Sequence, residues 1–229
     1  MTSGTGDPVG FLGGSFDPVH FGHLQLARDA QRELGLAELC FVPAGQPWQK
    51  SGLTPALERV HMLELALGGE PGWSIDLREI ERKGPTYTVD TARELRAAAG
   101  PRRPLVWIMG FDQLRRLPGW HRWQELLGLV HIAYADRAGS APGLDPVMQD
   151  LVLRHGGARS DLARQAAGRL VRFAMQAVDC SATALRQALR AGDEAYAAQY
   201  VPAPVLDYIR RQHLYRPEYG NEKTATPGG

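Results

Sequence analysis

The chain has 229 residues, 26 Lys plus Arg against 25 Asp plus Glu, a formal charge of +1 and 44% apolar residues. A chain this long buries roughly 70% of the surface its unfolded form exposes and needs no covalent staples. Its near-neutral balance argues against a nucleic-acid coat, which needs a basic excess to release counterions from phosphates.

Cys40 and Cys180 are the only cysteines and sit in no metal-ligand or redox spacing. No run approaches the roughly 18 apolar residues of a membrane span, and Met1 to Pro8 lacks the basic and apolar parts of a signal peptide. The expectation is a cytoplasmic protein with no membrane and no nucleic-acid partner, a monomer or a small homo-oligomer.

In chain order, strands are predicted at Val9 to Leu12, Leu39 to Val42, Ser74 to Leu77, Leu105 to Met109, Val130 to Tyr134 and Val171 to Met175. Several are apolar on successive residues, as strands buried on both faces are. Between them, apolar residues at helical spacing run from Leu24 to Leu34 and stop at Gly35, and Thr54-Pro55 reads as a cap and first turn of a helix ending at Gly68-Gly69. Further helices are predicted at Thr88 to Ala99, Trp120 to Leu127, Pro146 to Arg154, Ala182 to Ala191 and Pro204 to Gln212. Strands alternating with helices make a doubly wound, mostly parallel α/β sheet with a small helical C-terminal part. Residues 1–217 read as one domain and 218–229 as a flexible polar tail, and the mainly helical segment after the loop Ala138 to Gly143 is a candidate lid or lobe.

The first chemical signal is Gly13-Gly14-Ser15-Phe16-Asp17-Pro18-Val19-His20-Phe21-Gly22-His23, between the first strand and the first helix. Ligands of open α/β sheets bind beyond the carboxyl ends of strands. Adjacent glycines let an anion approach the main chain, and a helix start supplies N–H groups and partial positive charge. His20 and His23 can each donate a hydrogen bond to a phosphoryl oxygen. The ordinary alternatives are solvated or packing histidines, or a zinc pair helped by Asp17, for which a third ligand at the right spacing is missing.

This segment resembles the signature of the HxGH nucleotidyltransferase superfamily, which implies a Rossmann-like nucleotidyltransferase fold that binds ATP and moves its nucleotidyl group onto an acceptor. Neither a Walker A sequence nor GxGxxG is present, which disfavours P-loop ATPases and classical dinucleotide-binding dehydrogenases. Cys180-Ser181-Ala182-Thr183-Ala184-Leu185-Arg186 resembles the superfamily's Ile-Ser-Ser-Thr-x-Ile-Arg element, departing from it at Cys180 and Ala182. Read alone, it is a Ser/Thr helix cap with a solvated arginine. The resemblance implies that Gly13, Gly14, Ser15, Phe16, His20, His23, Gly110, Asp112, Ser181, Thr183 and Arg186 bind ATP, with His20 and His23 catalytic. It implies no protein-held metal, Mg²⁺ being carried with ATP.

The middle of the chain resembles the bacterial nicotinate mononucleotide adenylyltransferases through Lys83 to Thr91, Ile108 to Asp112 and Leu117 to Trp123. This implies an acceptor site of Lys50, Tyr87, Thr88, Trp120, His121 and Arg137, with nicotinate mononucleotide as acceptor and deamido-NAD as product. Thr88 and Trp120, each expected to begin a helix, would offer main-chain N–H groups to the pyridine carboxylate, and Trp120 a flat face to the ring. Trp123 reads as a core aromatic. Two departures stand out: Gln46-Pro47-Trp48-Gln49-Lys50 replaces a Pro-Pro-His-Lys stretch, and Arg137-Ala138-Gly139 an Arg-Pro-Gly. The competing expectations are phosphopantetheine adenylyl transfer and a non-catalytic nucleotide sensor on the same fold.

Overall fold

The computed structural model describes residues 6–46, 52–137 and 143–216, with only the main chain at Arg137. Its strands are β1 (Val9–Gly14), β2 (Glu38–Pro43), β3 (Trp73–Ile75), β4 (Leu105–Gly110), β5 (His131–Arg137), β6 (Gly156–Gly157) and β7 (Leu170–Met175). Its helices are α1 (Phe21–Leu34), α2 (Ala56–Leu67), α3 (Arg78–Glu81), α4 (Thr88–Ala99), α5 (Phe111–Arg116), α6 (Leu126–Leu129), α7 (Pro146–His155), α8 (Arg159–Leu162), α9 (Ala182–Ala191), α10 (Glu194–Tyr200) and α11 (Ala203–Arg211). The strands form one sheet in the order β3-β2-β1-β4-β5-β7-β6, and every pairing is parallel.

Alternation of side chains across the pleat explains why the strands are apolar on successive residues. On one face Leu12, Leu39, Phe41, Val106, Ile108, Ala133 and Ala135 pack with α1, α2 and the C-terminal helices α9 to α11. On the other, Phe11, Cys40, Val42, Leu105, Trp107, Met109 and Ile132 pack with α4 to α7. Helix α1 ends at Gly35 in the left-handed conformation, φ 65°, the backbone region in which glycine carries no Cβ penalty.

From β1 the chain winds outward through β2 to β3, then returns to lay β4 on the other side of β1. That reversal opens a crevice at the carboxyl ends of β1 and β4. The fold class is the expected one, but helices α3, α5, α8 and α10 are additional to the predicted ones, and three further points differ. A seventh strand, β6, is only two glycines long and pairs with β7. The helix predicted over Trp120 to Leu127 is replaced by 3-10 turns at Leu117–Gly119 and Trp123–Glu125, followed by the short α6. Arg122 between those turns is left-handed, φ 51°, and interrupts any continuous helix. Thr54 does not cap α2, whose N-cap position is Pro55; its N–H donates to the Asp17 carboxylate instead. Among the described residues no helix is long and apolar enough to cross a membrane.

Candidate active site

A cleft of about 580 Å³ occupies the crevice. From the β1 end its wall takes Gly13, Gly14, Ser15, His20, Gly22 and His23, and from the β4 end Gly110 and Asp112. Tyr87, Thr88, Trp120 and His121 form the far part of the same cleft. Two groups of residues matched separately in the sequence thus share one cavity.

The β1 glycines are required for a reason beyond anion access. A Cβ on Gly13 would lie 2.4 Å from the ring of Trp107, and one on Gly14 would lie 2.9 Å from the ring of Phe16. Phe16 does not line the cleft as expected. Its side chain is wholly buried, its ring lies 5.1 Å from His23 and 5.7 Å from Phe41, and its φ is 47°. That strained backbone is held by packing on every side, so Phe16 serves the loop from beneath.

His20 and His23 stack, with ring centroids 3.8 Å apart. The His20 main-chain N–H donates to His23 Nδ1 at 3.3 Å, which leaves Nε2 as the proton-bearing nitrogen of a neutral His23 ring. His20 is 6% exposed, and burial lowers its pKa to about 4. Its Nδ1 is buried with no hydrogen-bond partner among the described residues. A Cβ on Gly22 would meet this imidazole at 3.0 Å, so the glycine makes room for the ring.

The second motif meets the first in space. Ser181 caps α9 by accepting from Ala184 N–H at 3.2 Å, as the ordinary reading had it. Arg186 is not simply solvated: it donates to the Asp17 carbonyl at 2.7 Å and to Thr183 Oγ1 at 3.3 Å. The cleft wall on this side includes Cys180, whose thiol burial pushes up to about 11. Ser181, Thr183 and Arg186 adjoin that wall without being part of it. Asp17 is buried and engaged with Thr54 and Tyr215. Among the described residues no three His, Cys, Asp or Glu side chains are grouped as a metal site.

In the far part, Thr88 opens α4, a full 12-residue helix, after Tyr87 at the N-cap position, and Thr88 itself lines the cleft. Trp120 differs from expectation. It begins no helix, and its main-chain N–H donates to Leu117 O at 2.9 Å, so it has no main-chain donor to offer. Its indole nitrogen is buried without a partner among the described residues. His121 lies against Tyr87, with ring centroids 4.4 Å apart. Trp123 packs against the core on this side of the sheet. Lys50 lies outside the described residues, and Arg137 contributes only its main-chain place at the end of β5.

Trp107, Glu79, Gln113 and Arg116 also border the cleft and were not expected there. Glu79 accepts from Thr91 Oγ1 at 2.7 Å, and burial raises its pKa. None of these carries a sequence signal: Trp107 reaches Gly13 only because β4 pairs with β1, and the places of Glu79 and Arg116 depend on how α3 and α5 dock.

A family model described as cytidylyltransferase-like matches residues 11–188. The "Probable nicotinate-nucleotide adenylyltransferase" of Laribacter hongkongensis is 44% identical over 220 residues, covering 92% of this chain and 95% of its own. The protein of the same description from Chromobacterium violaceum is 42% identical, covering 91% and 98%. Among solved structures, Plasmodium falciparum nicotinic acid mononucleotide adenylyltransferase complexed with NaAD superposes with a TM-score of 0.71 at 17% identity, over 92% of this chain and 98% of that one. That likeness bears on the fold. Matched over more than nine-tenths of its length at more than 40% identity, the chain belongs to the cytidylyltransferase-like family and, within it, to the nicotinate-nucleotide adenylyltransferases.

Proposed function

We propose that the chain transfers the adenylyl group of ATP to nicotinate mononucleotide, giving deamido-NAD and pyrophosphate in NAD biosynthesis. The observation that carries this reading is the junction of the two phosphate motifs, Arg186 donating to Asp17 O across 169 residues of sequence beside the stacked imidazoles. The identity to relatives of that description supports it independently.

The acceptor phosphate has a second pKa near 6, so at pH 7 it is mostly dianionic and already a nucleophile. One of its oxygens attacks the α-phosphorus of ATP in line, the bond to the bridging oxygen breaks, and pyrophosphate leaves with the electron pair. No general base is needed, and catalysis consists of alignment and charge stabilisation. His20 and His23 are assigned to the α-phosphoryl oxygens, and Ser181, Thr183 and Arg186 to the departing pyrophosphate. Gly13, Gly14 and Ser15 cradle the triphosphate, with Phe16 beneath, and Gly110 and Asp112 take the adenosine ribose. Mg²⁺ enters as part of the ATP substrate, on the triphosphate.

Thr88 N–H is assigned to the pyridine carboxylate, which as a charged acceptor binds such a donor roughly twice as strongly as an amide oxygen would. Trp120 offers the ring face, Tyr87 and His121 flank it, and Lys50 and Arg137 are assigned to the acceptor phosphate. A cytoplasmic, single-domain protein without a nucleic-acid partner belongs to the same proposal. The test compares kcat/KM for adenylyl transfer from ATP to nicotinate mononucleotide, nicotinamide mononucleotide and phosphopantetheine. Nicotinate mononucleotide is expected to lead. Preference for phosphopantetheine, or no pyrophosphate release with any acceptor, overturns the reading.

A further inference from the structure

Behind the cleft lies a buried polar knot that none of the assigned roles uses. Arg59, 1% exposed on α2, divides its guanidinium among four main-chain carbonyls. Nε donates to Thr54 O at 2.9 Å, Nη1 to Ser15 O at 2.8 Å, and Nη2 to Ala44 O at 2.7 Å and Gly45 O at 3.3 Å. Beside it Asp17, equally buried, accepts from Thr54 N–H at 3.3 Å and from the Tyr215 hydroxyl at 2.6 Å. The carbonyl of the same Asp17 is the group that holds Arg186. Tyr215 comes from the last described turn, 198 residues away.

Ser15 and Ala44 line the cleft, whereas Arg59, Asp17 and Tyr215 do not. Burying a guanidinium is costly, and an apolar side chain of similar volume often packs as stably. What an apolar residue cannot do is fix the spacing of carbonyls on three separate segments, which a planar fork of donors does.

We propose that Arg59 and Tyr215 are positioning residues for adenylyl transfer: Arg59 sets the nucleotide loop at Ser15 against the loop at Ala44 and Gly45, and Tyr215 fixes Asp17 so that its carbonyl holds Arg186. This rests on the function proposed above. The two residues differ in reach. Arg59 spans the β1 loop and the loop after β2 at Ala44 and Gly45, whose next residue, Gln46, accepts at its carbonyl from Thr86 N–H at 3.1 Å beside Tyr87 and Thr88, so it acts on both substrates. Tyr215 acts through Asp17 on Arg186, so it acts on the triphosphate alone.

The experiment measures KM and kcat for ATP and for nicotinate mononucleotide in wild type, Tyr215→Phe and Arg59→Lys, with calorimetric binding of a non-hydrolysable ATP analogue and thermal melting of each protein. Tyr215→Phe should weaken the ATP KM and analogue binding about fivefold, the worth of one ordinary hydrogen bond, with the nicotinate mononucleotide KM within twofold. Arg59→Lys keeps the charge but loses the fork, and should raise both KM values severalfold. A Tyr215→Phe protein that melts lower while both KM values stay put, or move together, overturns the proposal. If wild type binds the analogue but does not adenylylate nicotinate mononucleotide, the function proposal fails, and analogue binding by Tyr215→Phe still decides this one.

Discussion

The depressed pKa of His20 makes a stability prediction whose size follows from its burial. In the unfolded chain this histidine titrates at its ordinary 6.5, and in the fold at about 4. Between those values the unfolded state binds a proton that the native state refuses, so stability falls as pH drops through the window and is fully restored above it. At pH 5 the unfolded ring is mostly charged and the native ring mostly neutral. The linkage amounts to about 2 kcal/mol relative to pH 7, approaching 3 kcal/mol near pH 4. With His20 only 6% exposed, solvent screening takes little from that figure. His20→Asn removes the titration while leaving a residue suited to the N-cap position of α1. Denaturant unfolding of both proteins at pH 7 and pH 5 should show wild type losing about 2 kcal/mol more than the variant. His131, also lowered by burial, is common to both and cancels. Equal losses in the two proteins, or an NMR titration of the His20 ring near 6.5, would refute the argument.

Four further outcomes follow from the site. His23→Ala should lower kcat on the order of 10² to 10³ if its ring is a pre-organised donor to the transferring phosphoryl group, as steady-state turnover would read. Gly13→Ala places a methyl 2.4 Å from the Trp107 ring in a packed wall, and such overpacking should cost about 1–3 kcal/mol in denaturant unfolding. Trp120→Ala should lower kcat/KM for nicotinate mononucleotide roughly tenfold or more, the scale of a lost aromatic stack, with the ATP KM within twofold. Chelation of divalent cations should abolish turnover and leave the melting temperature of the free protein unchanged, since the metal arrives with ATP.

Legibility in the sequence tracked how local the cause was. Helix α4 is predicted and found at Thr88–Ala99, closed by Gly100 at φ 76°, because its apolar spacing and its stop are both written within a dozen residues. The Trp120 segment failed because Arg122 adopts a left-handed backbone, which nothing about arginine announces. Strand β6 has no β-forming residue at all. It exists because β7 presents an open edge to which two glycines can pair. The adjacency of β1 and β4 follows from a crossover, and no local pattern records it. That adjacency is what brings Gly110 and Asp112 across the crevice from Gly13.

Within the site, residue types were easier to read than the work each does. The glycine pair reads as a place for an anion, yet a Cβ on either would first strike a ring, Trp107 for Gly13 and Phe16 for Gly14. Anion access on one side thus depends on aromatic packing on the other. Asp17 reads as part of a nucleotide signature and a conceivable metal ligand. In the fold its carboxylate faces inward to Thr54 and Tyr215, and only its carbonyl reaches Arg186. Spacing can identify residues that meet one ligand, because they share a short stretch of chain. A residue that acts by holding another in place has its partner set by tertiary packing, so Arg59 and Tyr215 leave no motif to find.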